Sequence, residues 1–282
     1  MSFDTHTSDS RGPSFGRFGF PHLLAATVAL VAATILLGVA AKATGSGLAC
    51  DANWPLCDGG ILNLFPANFP SFFEWIHRVV AMVAGVFIVA TAVVAWLGAV
   101  TDRRITAAIT LGLVLTPIQV FLGRETVLSY ELTILSLHFW TAVVIFVLFV
   151  ASAVLVWADR ITTRHVSGAL ALGAAMVPLH VLLSPLFIGT YTSVIQTTQY
   201  AVVLTLLASV ILAAIVTARR YERRRVSGVV LSTPLAALAV LVLGRRSVMA
   251  FAPALDVLYV VVAAGSVVLL LAGAILTHRY GQ

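Results

Sequence analysis

LTILSLHFWTAVVIFVLFVASAVLVW (132–157) carries no Asp, Glu, Lys or Arg from Leu132 to Trp157. Wound as a helix at about 1.5 Å per residue, it is longer than the roughly 30 Å hydrocarbon core of a bilayer. A helix that is apolar all round is either a core element of a large protein or a membrane span. The rest of the chain decides between them. Charged residues make up 10% of it and hydrophobic residues 60%, against roughly 25% charged in a soluble domain. With a mean hydropathy of +1.04, the chain has too few charges to cover a surface facing water, so lipid is the solvent for most of it.

Working outward, further apolar runs of spanning length lie near 20–42, 70–99 and 106–123 before this segment, and near 166–188, 194–217, 227–243 and 251–277 after it. The expected fold is all-α, an integral membrane protein of eight transmembrane helices. The run at 227–243 is the weakest, because Pro234 interrupts it and Arg245-Arg246 end it early. The polar, Gly/Ser-rich stretch 1–19 lacks the short apolar core of a signal peptide and reads as a disordered cytoplasmic tail.

The net charge of +6 would suggest nucleic acid in a soluble protein, but its placement argues for a membrane instead. Arg11 and Arg17 precede the first span, Arg103-Arg104 follow the second, Arg160 and Arg164 the fourth, and Arg219, Arg220, Arg223, Arg224 and Arg225 the sixth. With eight spans all of these share one side, which the positive-inside rule makes cytoplasmic, with both termini inside a cell membrane. Lys42, Arg124, Arg245 and Arg246 are exceptions on the outer side and invite a functional reading. The one long connection, 43–69, also lies outside and holds the only cysteines, Cys50 and Cys57. Their spacing and an oxidising outer compartment favour a disulfide; spacing leaves open whether it is structural or redox-active.

The halves repeat. VFLGRETVL (120–128) matches LVLGRRSVM (241–249), and in nearly the same register FFEWIHRVV (72–80) meets VIQTTQYAV (194–202) and LSLHFW (135–140) meets DVLYVV (256–261). The reading is two pseudo-symmetric four-helix bundles, 20–157 and 158–282, related by an axis along the membrane normal.

Ionisable groups inside spans are costly and are candidates for function by default. Glu74 and His77 share a helix face, being three residues apart. His77 and His138 each fall roughly 10 Å below the outer boundary on spans that run in the same direction. Two imidazoles at one depth on neighbouring helices can ligate a metal between them, and haem iron suits such a bundle; zinc would want more ligands than are present. Singly, each histidine could instead be an interhelical hydrogen-bond donor. Glu74 suits a proton donor or acceptor in a poorly hydrated site, or a structural partner for Arg78 or Arg124. Those two arginines could meet haem propionates or anchor the interface.

GSGLACDANWPLC (45–57), EWIHR (74–78), QVFLGRETV (119–127) and LHFW (137–140), in this order, resemble the heme A synthase family, and the resemblance covers about residues 20–157. It implies an oxidoreductase that converts a methyl group of heme O to the formyl group of heme A for terminal oxidases. On matching positions it implies His77 and His138 as axial ligands, Glu74 as the acidic residue required for the chemistry, and Cys50 and Cys57 as the outer-loop pair. Implied partners are heme O, heme O synthase and cytochrome oxidase assembly factors, besides membrane lipid; a homo-oligomer is compatible and nucleic acid is not expected. The second half departs from the family pattern. Gln196 and Gln199 stand opposite Glu74 and His77, and Tyr259 opposite His138, so a heme b in that half is not expected. His180 has Thr34 opposite it and reads as a polar packing residue before a ligand. Two other readings stay open: a b-type membrane cytochrome, and a haem carrier or assembly factor without catalysis.

Overall fold

A computed structural model describes residues 19–50, 53–57, 65–66, 68–129, 131–220, 224–249 and 252–280. The expected tail, apart from Gly19, and much of the 43–69 connection lie outside these residues. Eight helices are long and apolar enough to cross a membrane: α1 Phe20–Ala43, α2 Phe69–Val94, α3 Arg103–Leu128, α4 Leu132–Trp157, α5 Thr163–Leu182, α6 Ser193–Arg220, α7 Arg224–Met249 and α8 Pro253–Tyr280. The described residues contain no strand. The protein is a multi-pass membrane protein, and its most exposed positions suit that solvent: Met82, Val86, Leu97, Leu235 and Val268 all face outward.

Local chemistry sets the helix ends. Asn68 caps α2 by accepting from Ser71 N at 3.0 Å, and Asp102 caps α3 by accepting from Arg104 N at 2.9 Å; both satisfy amides that the first turn leaves unpaired. After α2 the chain widens into a π-turn, Ala95–Ala99, where Gly98 takes a φ of 92° that only glycine adopts without strain. The sequence expectation for the fifth span ran to 188, whereas α5 stops at Leu182. Pro185 follows three residues later, and a proline there biases the preceding residue out of the helical region.

Pro234 does not break α7, which runs through it. Proline withholds the amide that would bond to the carbonyl of Val230. Thr233 Oγ1 donates to that carbonyl at 2.8 Å instead, one way a transmembrane helix tolerates proline. Thr233→Val should therefore destabilise the protein by about 1 kcal/mol, read as a lower midpoint of thermal unfolding in detergent. Adding Pro234→Ala should return most of the loss, because alanine restores the amide donor. No rescue by the second change would refute this account.

Neighbour order repeats along the chain. Helix α1 packs on α2 and α4, and α3 on α4 and α2; α5 packs on α6 and α8, and α7 on α8 and α6. The two groups of four meet where α6 lies against α1 and α4, and α6 is the most enclosed span. Lipid gives no hydrophobic drive between helices, so close packing at small residues carries association. At Gly112 an added Cβ would stand 2.6 Å from the Phe149 ring, so α3 and α4 approach as closely as they do only because that side chain is absent.

Candidate functional site

Glu74, His77 and Arg78 lie on one face of α2, near its outer end. Glu74 is buried, 7% exposed, and accepts a bond from Arg78 Nε at 2.9 Å. The remaining geometry of Arg78 is unexpected. Its Nη1 donates to the carbonyl of Asn53 at 2.7 Å and to that of Leu56 at 3.0 Å, inside the loop that the Cys50–Cys57 disulfide closes. Ser71 Oγ adds a bond to the Ala49 carbonyl at 2.9 Å. Both cysteines are buried. One arginine thus holds the carboxylate and clamps the outer loop over it, leaving Nη2 as its one group without a bond.

The two histidines are seated by glycines. A Cβ at Gly38 of α1 would stand 2.9 Å from His77 Cε1, and one at Gly123 of α3 would stand 3.0 Å from His138 Cε1. His138 Nδ1 lies 3.1 Å from the Gln119 carbonyl. A carbonyl only accepts, so Nδ1 carries the proton and Nε2 is left with a lone pair, the tautomer that a metal ligand needs. That Nε2 faces Gln119 Nε2 at 3.3 Å. The imidazoles are near enough for His77 to act on His138 electrostatically. Gln119 escaped the sequence reading, although it stands one helical turn before Gly123, on the same face of α3.

Buried polar groups are nearly always paired, yet among the described residues Arg78 Nη2 and Gln119 Oε1 lack a hydrogen-bond partner and His77 Nδ1 has none of good geometry. All three gather at this site. Unpaired nitrogen and amide groups around two glycine-seated imidazoles fit a large polar-edged ligand such as a haem. Gly38→Ala should push the His77 ring by a few tenths of an ångström or more and weaken such binding, measured as a lower haem-to-protein ratio after purification. An unchanged ratio would show that the glycine does not set the ring.

Arg124 takes a different course from Arg78. It is exposed and pairs with Glu125 at 2.5 Å on the outer rim, so the structure does not bring it to Glu74.

In the second half several of the corresponding positions bond to one another, while Gln196, opposite Glu74, keeps a buried Oε1 without a partner among the described residues. His180 Nδ1 and Tyr259 Oη are 2.6 Å apart, Gln199 Nε2 donates to the His180 carbonyl at 2.9 Å, and Tyr191 Oη donates to Gln199 Oε1. Gly244, in register with Gly123, has both His180 and Tyr259 against it. Tyr259 thus meets Gly244 as His138 meets Gly123, with its hydroxyl committed to His180. Between the halves, the Phe139 and Tyr200 rings meet edge to face at 5.3 Å, and Arg245 lies 4.2 Å above the Phe139 ring while donating to Tyr200 Oη at 3.1 Å.

Among known proteins, the chain is similar to the heme A synthase of Bacillus licheniformis, 34% identical over 39% of this chain and 36% of that protein. It is also similar to the heme A synthase of Listeria welshimeri, 23% identical over 46% of this chain and 43% of that protein. Protoheme IX farnesyltransferase 1 of Natronomonas pharaonis matches at 36% identity over 47% of this chain and 27% of its own length. The chain thus spans less than half the length of these curated relatives. The profile of the family described as cytochrome oxidase assembly protein, COX15-CtaA, covers residues 21–205, a stretch that includes every residue of the glycine-seated histidine site, and this chain belongs to that family.

Proposed function

We propose that this protein is a heme A synthase, which binds heme O between His77 and His138 and oxidises one of its methyl groups, through the alcohol, to a formyl group. The observation that carries this reading is the pair of glycine-seated imidazoles, with His138 fixed in its ligating tautomer, beside a buried carboxylate. The bound haem would bring the iron and be the substrate; taking its methyl group to a formyl group adds one oxygen atom and removes four electrons, so an oxidant from outside the chain takes part. His77 and His138 hold that iron from two helices, and Gln119 orients one of them. Glu74 holds or moves a proton at the reacting edge, with Arg78 keeping it in place. The disulfide loop, clamped by Arg78, closes the outer side and excludes water. Membership of a cytochrome oxidase assembly family agrees with heme A as the product, and two of its similar proteins are heme A synthases.

The same reading divides the chain into a haem-bearing unit, 20–157, and a second unit, 158–282, which keeps the neighbour order but not the ligands. The hydrogen-bonded His180–Tyr259 and Tyr191–Gln199 pairs support a single haem per chain. It also places the protein in the cell membrane with both termini cytoplasmic. Supporting this, Arg103-Arg104, Arg160, Arg164, Arg219 and Arg220 all fall at the same ends of the spans.

The test is to express the chain in cells that make heme O but no heme A, then extract the haem and identify it by chromatography and mass. Heme A or its hydroxylated precursor is expected. Unchanged heme O, in cells where a known synthase works, would sink the proposal and favour a b-type cytochrome or a haem carrier. The similarity to a farnesyltransferase motivates a second arm in cells that hold protohaem but no heme O, where new heme O would point to prenyl transfer instead.

A further inference from the structure

The outer cations that break the charge rule are not all used by the chemistry above. Lys42 stands one helical turn outward from Gly38, the residue against which His77 rests, and so on the same face of α1. Arg245 comes from α7, in the second half, and lies over Phe139, the neighbour of His138. Both lie near the outer ends of their helices, Lys42 in the last turn of α1 and Arg245 four residues before the end of α7. Each is only partly exposed, and among the described residues neither is in an ion pair. Unpaired cations at the edge of a membrane site are stabilised when an anion joins them.

We propose that Lys42 and Arg245 form the seat for the propionate carboxylates of the haem held by His77 and His138, so that a helix of the second half completes the site of the first. This rests on the haem-binding reading above. The repeat explains how it arises: Arg245 follows Gly244 as Arg124 follows Gly123, but Arg124 turns out to Glu125 while Arg245 turns in over Phe139. Arg78 offers only Nη2 of its fork, because Nε is bonded to Glu74 and Nη1 to loop carbonyls. Lys42 supplies a mobile point charge and Arg245 a planar donor fork, which together suit two carboxylates on flexible arms.

The experiment titrates the full chain, purified without haem in detergent, with protohaem and with its dimethyl ester, in which both carboxylates are capped. The bis-imidazole absorption spectrum reports occupancy of the histidine site independently of turnover. The wild-type chain should bind the free acid roughly tenfold or more tightly than the ester. Lys42→Gln and Arg245→Gln should each lower affinity for the acid and leave the ester unchanged, so that the discrimination shrinks. Arg124→Gln should preserve it. Arg245→Lys guards against a folding defect, since it keeps the charge and should retain part of the preference. Equal binding of acid and ester by the wild-type chain, or full discrimination in the two Gln variants, would overturn the seat while leaving the histidine site standing. A wild-type chain that gives no bis-imidazole spectrum with either compound would overturn the seat together with the haem reading.

Discussion

Glu74→Gln should leave haem bound and the chain in its membrane while heme A formation falls by roughly 10²- to 10⁴-fold, the usual range for loss of a positioned acid or base. The variant is nearly isosteric, and its amide oxygen can still accept from Arg78 Nε, now at 2.9 Å, so the loop clamp survives. What disappears is a group able to take and return a proton beside His77. The measurement is the ratio of heme A to total bound haem in purified protein. A ratio equal to that of the wild type would remove Glu74 from the chemistry. A chain empty of haem would show that Glu74 supports the site and does not act in it.

The second large effect concerns the histidines. His77→Ala and His138→Ala should each abolish the bis-imidazole spectrum and heme A formation, because no other described imidazole shares the pocket. His180→Ala makes the contrast. It should keep both the spectrum and the haem-to-protein ratio, yet destabilise the chain by about 1–3 kcal/mol, as the buried hydroxyl of Tyr259 loses its partner. If His180→Ala emptied the protein of haem and His77→Ala did not, the assignment of haem to the first half would be wrong.

Much of this was legible in the sequence. Span α4 agrees with its expected limits because an uncharged run bounded by Glu131 and Asp159 leaves no other place to leave the bilayer. The histidine pair was singled out by depth, a quantity that helical rise converts directly from residue number, and the ligand role proposed for it awaits the spectrum above. The repeat register placed Tyr259 opposite His138, and the shared glycine contacts at Gly123 and Gly244 agree with it. Other features had no linear signature. Arg78 bonds to main-chain carbonyls of the outer loop, and a carbonyl looks alike in every residue. The pairing of His180 with Tyr259 joins α5 to α8, helices separated by most of the second half. The inward turn of Arg245 depends on Phe139 and Tyr200 meeting across the two halves, whereas its sequence neighbour Arg246 faces outward. The early end of α5 was within reach, since Pro185 was there to be weighed.

The contact of Arg245 with Phe139 and Tyr200 also has a bearing on biogenesis. The membrane receives helices in the order of synthesis, so His77 and His138 are inserted long before α7 emerges. A nascent chain of four spans would already carry both imidazoles, but the cation that rests on Phe139 would not yet have been made. Under the propionate seat proposed above, full-affinity capture of haem would await α7, so a half-built protein would load poorly.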